Sequence, residues 1–227
     1  MTDCAASVDV PAWPGNINFR YSVLIQAVAD NRLHTSHGGR EMGAGVIPFA
    51  RHESTVRFLF QTTFSGRKAG HLVDFGGGLG DGESHRDTAI REFIEETETM
   101  YFSDDLRLAS RTAESIRDQI PIVEALFEKT LGRHPDWCCR RAPGNPHKPR
   151  NWKTFFVEFP YRDILALNRE WEADRTGRFR KRRELFWLSS GELLDIYENS
   201  PRRLWKRVRQ LENAPATIRS IQRCQGI

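Results

Sequence analysis

Gly76, Gly77, Gly78, Gly80 and Gly82 crowd the segment that follows Phe75, and Glu92, Glu95 and Glu96 follow it within one short stretch. Glycine permits positive φ and lets a ligand approach the main chain closely, which phosphate and metal sites both need. Aligned with the phosphate-binding pattern G-x-x-x-x-G-K-S, Gly77, Gly82, Glu83 and Ser84 take the places of its glycines, lysine and serine, so Glu83 reverses the charge. A carboxylate there repels phosphate, which excludes a nucleotide P-loop. The pattern G-x-G-x-x-G is absent from this loop too, so a Rossmann pyrophosphate site is not supported. Acidic residues beside phosphate make chemical sense when divalent cations lie between them.

A helix must carry the glutamates. Ser84 with Asp87 three residues on has the spacing of a capping box, and nothing breaks the pattern from there to about Thr97. Steps of 100° put Ala89, Ile90, Phe93, Ile94 and Thr97 on one side, and Arg91, Glu92, Glu95 and Glu96 on the other. Glu92 then neighbours both Glu95 and Glu96, a repulsion of a few tenths of a kcal/mol per pair that the helix macrodipole worsens in this second half. Bound Mg²⁺ or Mn²⁺ would remove the conflict, since hard cations take carboxylate oxygens and bridge to substrate phosphates. The bland alternative is a solvated acidic face.

Gly77, Glu83, Arg91, Glu92, Phe93, Glu95 and Glu96 resemble the Nudix box, G-x5-E-x7-R-E-U-x-E-E-x-G-U, with Phe93 as the bulky residue U. Glu98 stands where the box has glycine and Thr99 where it has an aliphatic residue; Phe75 replaces the proline that often precedes the paired glycines. The first two departures predict an altered helix exit more than lost chemistry. The resemblance implies an α/β fold, a Nudix-type α/β/α sandwich with a mixed β-sheet, and Mg²⁺-dependent hydrolysis of a diphosphate linked to another group. It implies that Glu92, Glu95 and Glu96 hold the metals with the Gly77 carbonyl, and that Arg91 orients its glutamate neighbours. For the general base it leaves Glu92 or a later carboxylate, Glu170, Glu172, Asp174 or Glu184. Catalysis on this reading falls to Glu92, Arg91 and Glu95, with water attacking one phosphorus in line. A bound cation can bring the pKa of its water from 15.7 towards about 7.

The elements that position these groups are read from periodicity. Short alternating or apolar runs at Val23–Ala29, Ala44–Phe49, Val56–Thr63 and Leu72–Phe75 predict strands, separated by turns at His37–Arg40 and Ser65–Gly70. Asp104–Leu131 is helix-like, with Pro121 as a kink or break. Residues 134–149 form a loop, Trp152–Phe159 and Glu184–Leu188 read as strands, and Gly191–Glu198 and Arg202–Leu211 as two closing helices. The whole is taken as one domain: an N-terminal extension and first strand over 1–42, strands and box over 43–100, a helical and loop insertion over 101–151, and remaining strands and helices over 152–227. The insertion is read as a lid, a dimer contact or padding, which leaves a homodimer open.

Of 227 residues, 39% are hydrophobic and 28% charged, a balance that excludes a disordered or fibrous chain. No apolar run approaches the roughly 18 residues of a membrane span, and Met1–Ser7 lacks a secretory pattern, so a cytoplasmic address is expected. Cys4, Cys138, Cys139 and Cys224 then read as reduced thiols, and the spacings of His134, Cys138, Cys139 and His147 match no zinc motif.

Charge is uneven along the chain: residues 1–132 carry a net −6 and residues 133–183 a net +8. The run Arg175–Arg183 is the strongest basic cluster, with Arg140, Arg141, Lys148, Arg150 and Lys153 adding to it, and Arg180, Lys181 and Arg183 are assigned to substrate. Trp152, Trp171, Phe179 and Trp187 are candidates to stack a base. A phosphorylated small molecule or an RNA 5′-end fits: a dinucleoside polyphosphate, an inositol pyrophosphate, or a smaller dinucleotide such as ADP-ribose. The contrasting function is a polyanion- or RNA-binding regulatory protein without turnover.

Overall fold

A computed structural model describes residues 41–142 and 150–224. The strand expected at Val23–Ala29, the turn at His37–Arg40, Cys4, His147 and Lys148 lie outside them. The strands are β1 (Glu41–His52), β2 (Thr55–Thr63), β3 (Phe75–Gly78), β4 (Cys138–Arg140), β5 (Arg150–Glu158) and β6 (Arg183–Ser189). The helices are α1 (His85–Glu96), α2 (Ala113–Arg133), α3 (Leu165–Ala173), α4 (Ser190–Asn199), α5 (Lys206–Arg209) and α6 (Ala214–Arg223).

Six strands form one mixed sheet in the order β4-β5-β1-β2-β6, with β3 attached to β1. The long β1 runs parallel to β5 along its length; Gly43–Val46 pairs antiparallel with β3 and Phe49–His52 with β2. Alternation sends Leu59, Phe155, Val157 and Leu185 to one face, where Ile90 and Phe93 of α1, Val123 and Phe127 of α2, and Trp171 of α3 cover them. Ile47, Phe58, Phe60 and Phe156 go to the other face, under Leu193 of α4, Val208 of α5 and Ile218 and Ile221 of α6. The result is the expected α/β/α sandwich.

The helix begins where the sequence placed it: Ser84 Oγ accepts the Asp87 N–H at 3.2 Å, and Asp87 Oδ2 accepts the Ser84 N–H at 3.1 Å. Elsewhere local pattern and fold diverge. The helix expected from Asp104 starts only at Ala113, because Asp105 takes the Arg107 N–H at 2.9 Å and Ser103 Oγ donates to the Asp105 carbonyl, bonds that compete with helix. It then continues through Pro121, which is exposed together with Arg117, so water can reach the carbonyl that proline leaves unbonded. The 134–149 loop contains β4. The helix expected over Arg202–Leu211 is instead a 3₁₀ turn at Pro201–Arg203 and the four-residue α5, because Leu72 donates to the Arg203 carbonyl and accepts from the Trp205 N–H, at 2.8 and 2.9 Å. Helices α3 and α6 complete the layers without having been foreseen. No helix among the described residues is long and apolar enough to cross a membrane.

Candidate functional site

Glu83 anchors the glycine loop to α1. Its carboxylate accepts Arg91 Nε and Nη2 at 2.6 and 3.0 Å, and the Gly80 N–H and Thr88 hydroxyl, each at 2.8 Å. Burial works to raise the Glu83 pKa, but the Arg91 bonds and charge overcome it and leave it below the ordinary value. From the same guanidinium, Nη1 reaches Glu92 at 2.9 Å and Glu95 at 3.2 Å, and Nη2 reaches the Gly78 carbonyl at 3.3 Å. Arg91 is thus the centre of the loop-helix junction, as an orienting role requires.

The acidic face is not a solvated one. Side-chain exposure is 17% for Glu92, 3% for Glu95 and 13% for Glu96. Glu95 pairs with Arg91 and, very closely, with Arg111. Glu96 Oε2 accepts the Gly76 N–H at 2.8 Å and Gln61 Nε2 at 2.6 Å, and its Oε1 faces Arg183 Nη2 at 3.4 Å. Burial raises Glu96, but Arg183, Lys68, Arg207 and the Gly76 N–H hold it below the usual carboxylate value. Glu92 goes the other way: burial lifts it, Arg91 only partly opposes, and repulsion from Glu96 and Glu95 adds, so it is pushed up to about 7.

A Cβ at Gly77 would lie 2.1 Å from Glu92 Oε1, so any side chain there would push the Glu92 carboxylate from its place. The Gly77 main chain therefore abuts the carboxylate.

A cavity of about 260 Å³ is lined by Glu92, Glu95 and Glu96 together with Arg111, Arg180, Lys181 and Arg183. The acidic and basic groups singled out in the sequence, more than 80 residues apart, thus share one cavity. Arg183 sits deeper than expected for a substrate cation, 7% exposed and facing Glu96 and Glu98. Of the candidate bases Glu92 alone lines the cavity. Glu170 pairs with Arg178, Glu172 approaches Arg182, and Asp174 accepts from Thr176 and the Phe179 N–H. Glu184 follows Arg183 on β6 and so projects from the opposite face. None of the stacking candidates lines the cavity either: Trp152, Trp171 and Phe179 are buried in the two cores, and Trp187 stacks on Tyr161.

The helix exit departs from expectation in the conserving direction. Thr99 N–H reaches the Ile94 carbonyl at 3.0 Å and Glu98 N–H the Glu95 carbonyl at 3.1 Å, the paired reverse bonds of a glycine-type helix end. Glu98 and Thr99 hold left-handed φ of 52° and 60° to make them. For a side chain with a Cβ this costs about 1–2 kcal/mol per residue.

Residues that motif reading missed complete the surroundings. Buried Asp74 accepts Arg207 Nε at 2.5 Å and the Thr154 hydroxyl at 3.2 Å, while Arg207 lies over the Trp152 ring. Gln61 bonds both the Asp74 carbonyl and Glu96. Only Gln61 left a trace in the sequence, as a polar residue on the inward parity of a strand that otherwise buries Leu59. The three described cysteines, Cys138, Cys139 and Cys224, are free.

No group of three or more His, Cys, Asp or Glu side chains among the described residues is arranged to hold a metal ion. The donor chemistry still fits a hard cation: carboxylate oxygens beside a glycine main chain, with the charge on Glu92 disfavoured by burial and then by its like-charged neighbours. Glu95 and Glu96 would exchange Arg111 and Arg183 for it.

No family model and no curated protein matches the chain. Among solved structures, it is similar to an Ap4A hydrolase binary complex from C. elegans at 12% identity over 79% of this chain and 93% of that one, with a TM-score of 0.41. A Nudix hydrolase from Alicyclobacillus acidocaldarius gives 13% identity, 83% and 94% coverage and a TM-score of 0.43. The NUDIX domain of Shewanella oneidensis NrtR complexed with ADP ribose gives 9% identity, 75% and 85% coverage and a TM-score of 0.34. At TM-scores below 0.5 these likenesses add no weight of their own. The chain's resemblance to the Nudix family therefore stands on its own residues, Gly77, Glu83, Arg91, Glu92, Phe93, Glu95 and Glu96, of which the three helix glutamates line one cavity.

Proposed function

We propose that this chain is a divalent-cation-dependent Nudix-type pyrophosphohydrolase, cleaving a phosphoanhydride bond in a nucleoside-diphosphate-linked or polyphosphorylated substrate. One observation carries the reading: a single cavity is lined by three glutamates and four cationic side chains. At about 260 Å³ it lies below the ~300–1,000 Å³ of sites that enclose a whole drug-sized ligand, so it suits the charged part of a substrate whose remainder stays outside.

On this reading Arg180 and Lys181 bind phosphate oxygens. Glu92 accepts the proton of the attacking water. Arg91 holds Glu92 and Glu95 in place. Mg²⁺ or Mn²⁺, held by Glu92, Glu95, Glu96 and the Gly77 carbonyl, would supply charge neutralisation at phosphate and a more acidic water.

A second reading, a polyanion binder without turnover, is favoured by the engagement of Glu95 and Glu96 with Arg111 and Arg183. Incubation with capped or triphosphorylated RNA, dinucleoside polyphosphates, nucleotide sugars and ADP-ribose, with Mg²⁺ or Mn²⁺ and product analysis, separates the two. Turnover of any member supports the enzyme; binding without products across the panel rejects it.

A further inference from the structure

Glu98, where the family pattern has glycine, is fully buried and adopts a left-handed backbone to occupy its place. Its Oε1 lies 3.5 Å from Arg183 Nη1, and the charges of Arg183, Arg111 and Arg180 and the Arg180 backbone N–H all act on its carboxylate. Those three arginines are three of the four cations lining the cavity, while Glu98 itself stands behind them. Arg183 spans the two carboxylates, with Nη2 turned to Glu96 and Nη1 to Glu98. The other oxygen of Glu98, Oε2, is buried with no hydrogen-bond partner of its own, so the charge on Glu98, which burial disfavours, leans on the Arg180 N–H and the three neighbouring arginines.

We infer that Glu98 is a positioning residue that clamps the Arg180–Arg183 segment against the exit of α1 and so sets the cationic wall for a polyphosphate ligand. Removing it would leave the helix end intact, because glycine or asparagine takes the same φ with less strain. The basic segment would instead lose the charge that orders it. Arg180 and Lys181 would then meet the ligand from a wider range of positions, at an entropic cost to binding.

The clamp deepens the proposed function, resting on its anion-binding half. The test compares the full chain with Glu98→Gly and Glu98→Asn, using hydrogen exchange without ligand and calorimetric binding of inorganic tripolyphosphate. The expected result is amide exchange about tenfold faster over residues 180–183, with α1 unchanged, and tripolyphosphate affinity about five- to tenfold weaker, as for loss of one charge-assisted contact. For any substrate that turns over, KM should rise with kcat nearly constant. Unchanged exchange and affinity in both variants would overturn the clamp. So would acceleration spread through α1 and the sheet, which would make Glu98 a packing residue. The exchange arm needs no ligand: if the original chain bound no tripolyphosphate, the functional reading would fail while residues 180–183 still decided the clamp.

Discussion

The guanidinium of Arg91 grips the carboxylate of Glu83 through two hydrogen bonds of 2.6 and 3.0 Å, with the two side chains 7% and 2% exposed. Both charges are nearly closed off from water, although Arg91 also faces Glu92 and Glu95. Glu83→Gln should destabilise the fold by about 1.5–3 kcal/mol, the loss of the charge-assisted bonds while Arg91 keeps its other two carboxylates. Denaturant unfolding measures this; a change under about 1 kcal/mol would mean that the loop-helix junction does not rest on the pair.

Glu96→Gln retains an acceptor for the Gly76 N–H but loses the charge opposite Arg183. Cation-dependent turnover should fall at least about a hundredfold while far-ultraviolet circular dichroism stays the same. Full activity in this variant would exclude the three-glutamate wall from the chemistry.

Glu92 is held up to about 7 in the fold against an ordinary 4.5. The folded chain therefore binds the extra proton more tightly than the unfolded one, and that stabilisation, complete below about pH 4.5, is lost as pH rises towards 7. Glu92→Gln, which cannot ionise, should melt above the parent at pH 8 by more than it does at pH 5. A gap independent of pH would contradict the raised pKa. In the parent, kcat/KM measured against pH should rise along its acidic limb as the Glu92 carboxylate ionises and becomes a competent base.

Arg180→Ala with Lys181→Ala should raise KM about tenfold or more and flatten its dependence on salt, with kcat little changed. Arg183→Gln should behave differently, lowering the melting temperature, because this side chain is buried between Glu96 and Glu98. Equal effects of the two changes on thermal stability would erase that distinction.

The site was legible where its chemistry is local. Ser84, Asp87, Glu83, Arg91 and the three glutamates lie within one loop and one helix, so spacing alone related them. Arg183 and its neighbours were legible as a cluster of charge, but not that Arg183 is buried between two glutamates, since that depends on β6 pairing with β2. Arg111 left no signal, because it reaches Glu95 from a segment held by the bonds between Ser110 and the Thr99 hydroxyl and not by a periodic element. The same holds for the fold. Helix α2 was visible in its apolar steps, but its start was displaced by side-chain bonds that compete with helix, and Arg202–Leu211 was reshaped by backbone bonds to Leu72. Glu98 looked like damage to a motif because its conformation is invisible in a letter.

Strand β1 serves as a ruler for the candidate site. Its first half fixes the glycine segment that abuts Glu92, and its second half fixes β2, from which Gln61 reaches Glu96. One residue inserted between Val46 and Phe49 would throw these two halves out of phase by one strand step, about 3.4 Å, and reverse the facing of everything beyond it. The midpoint of β1, where Val46 and Ile47 are buried in the two cores, should therefore tolerate conservative replacement of side chains but no change in length.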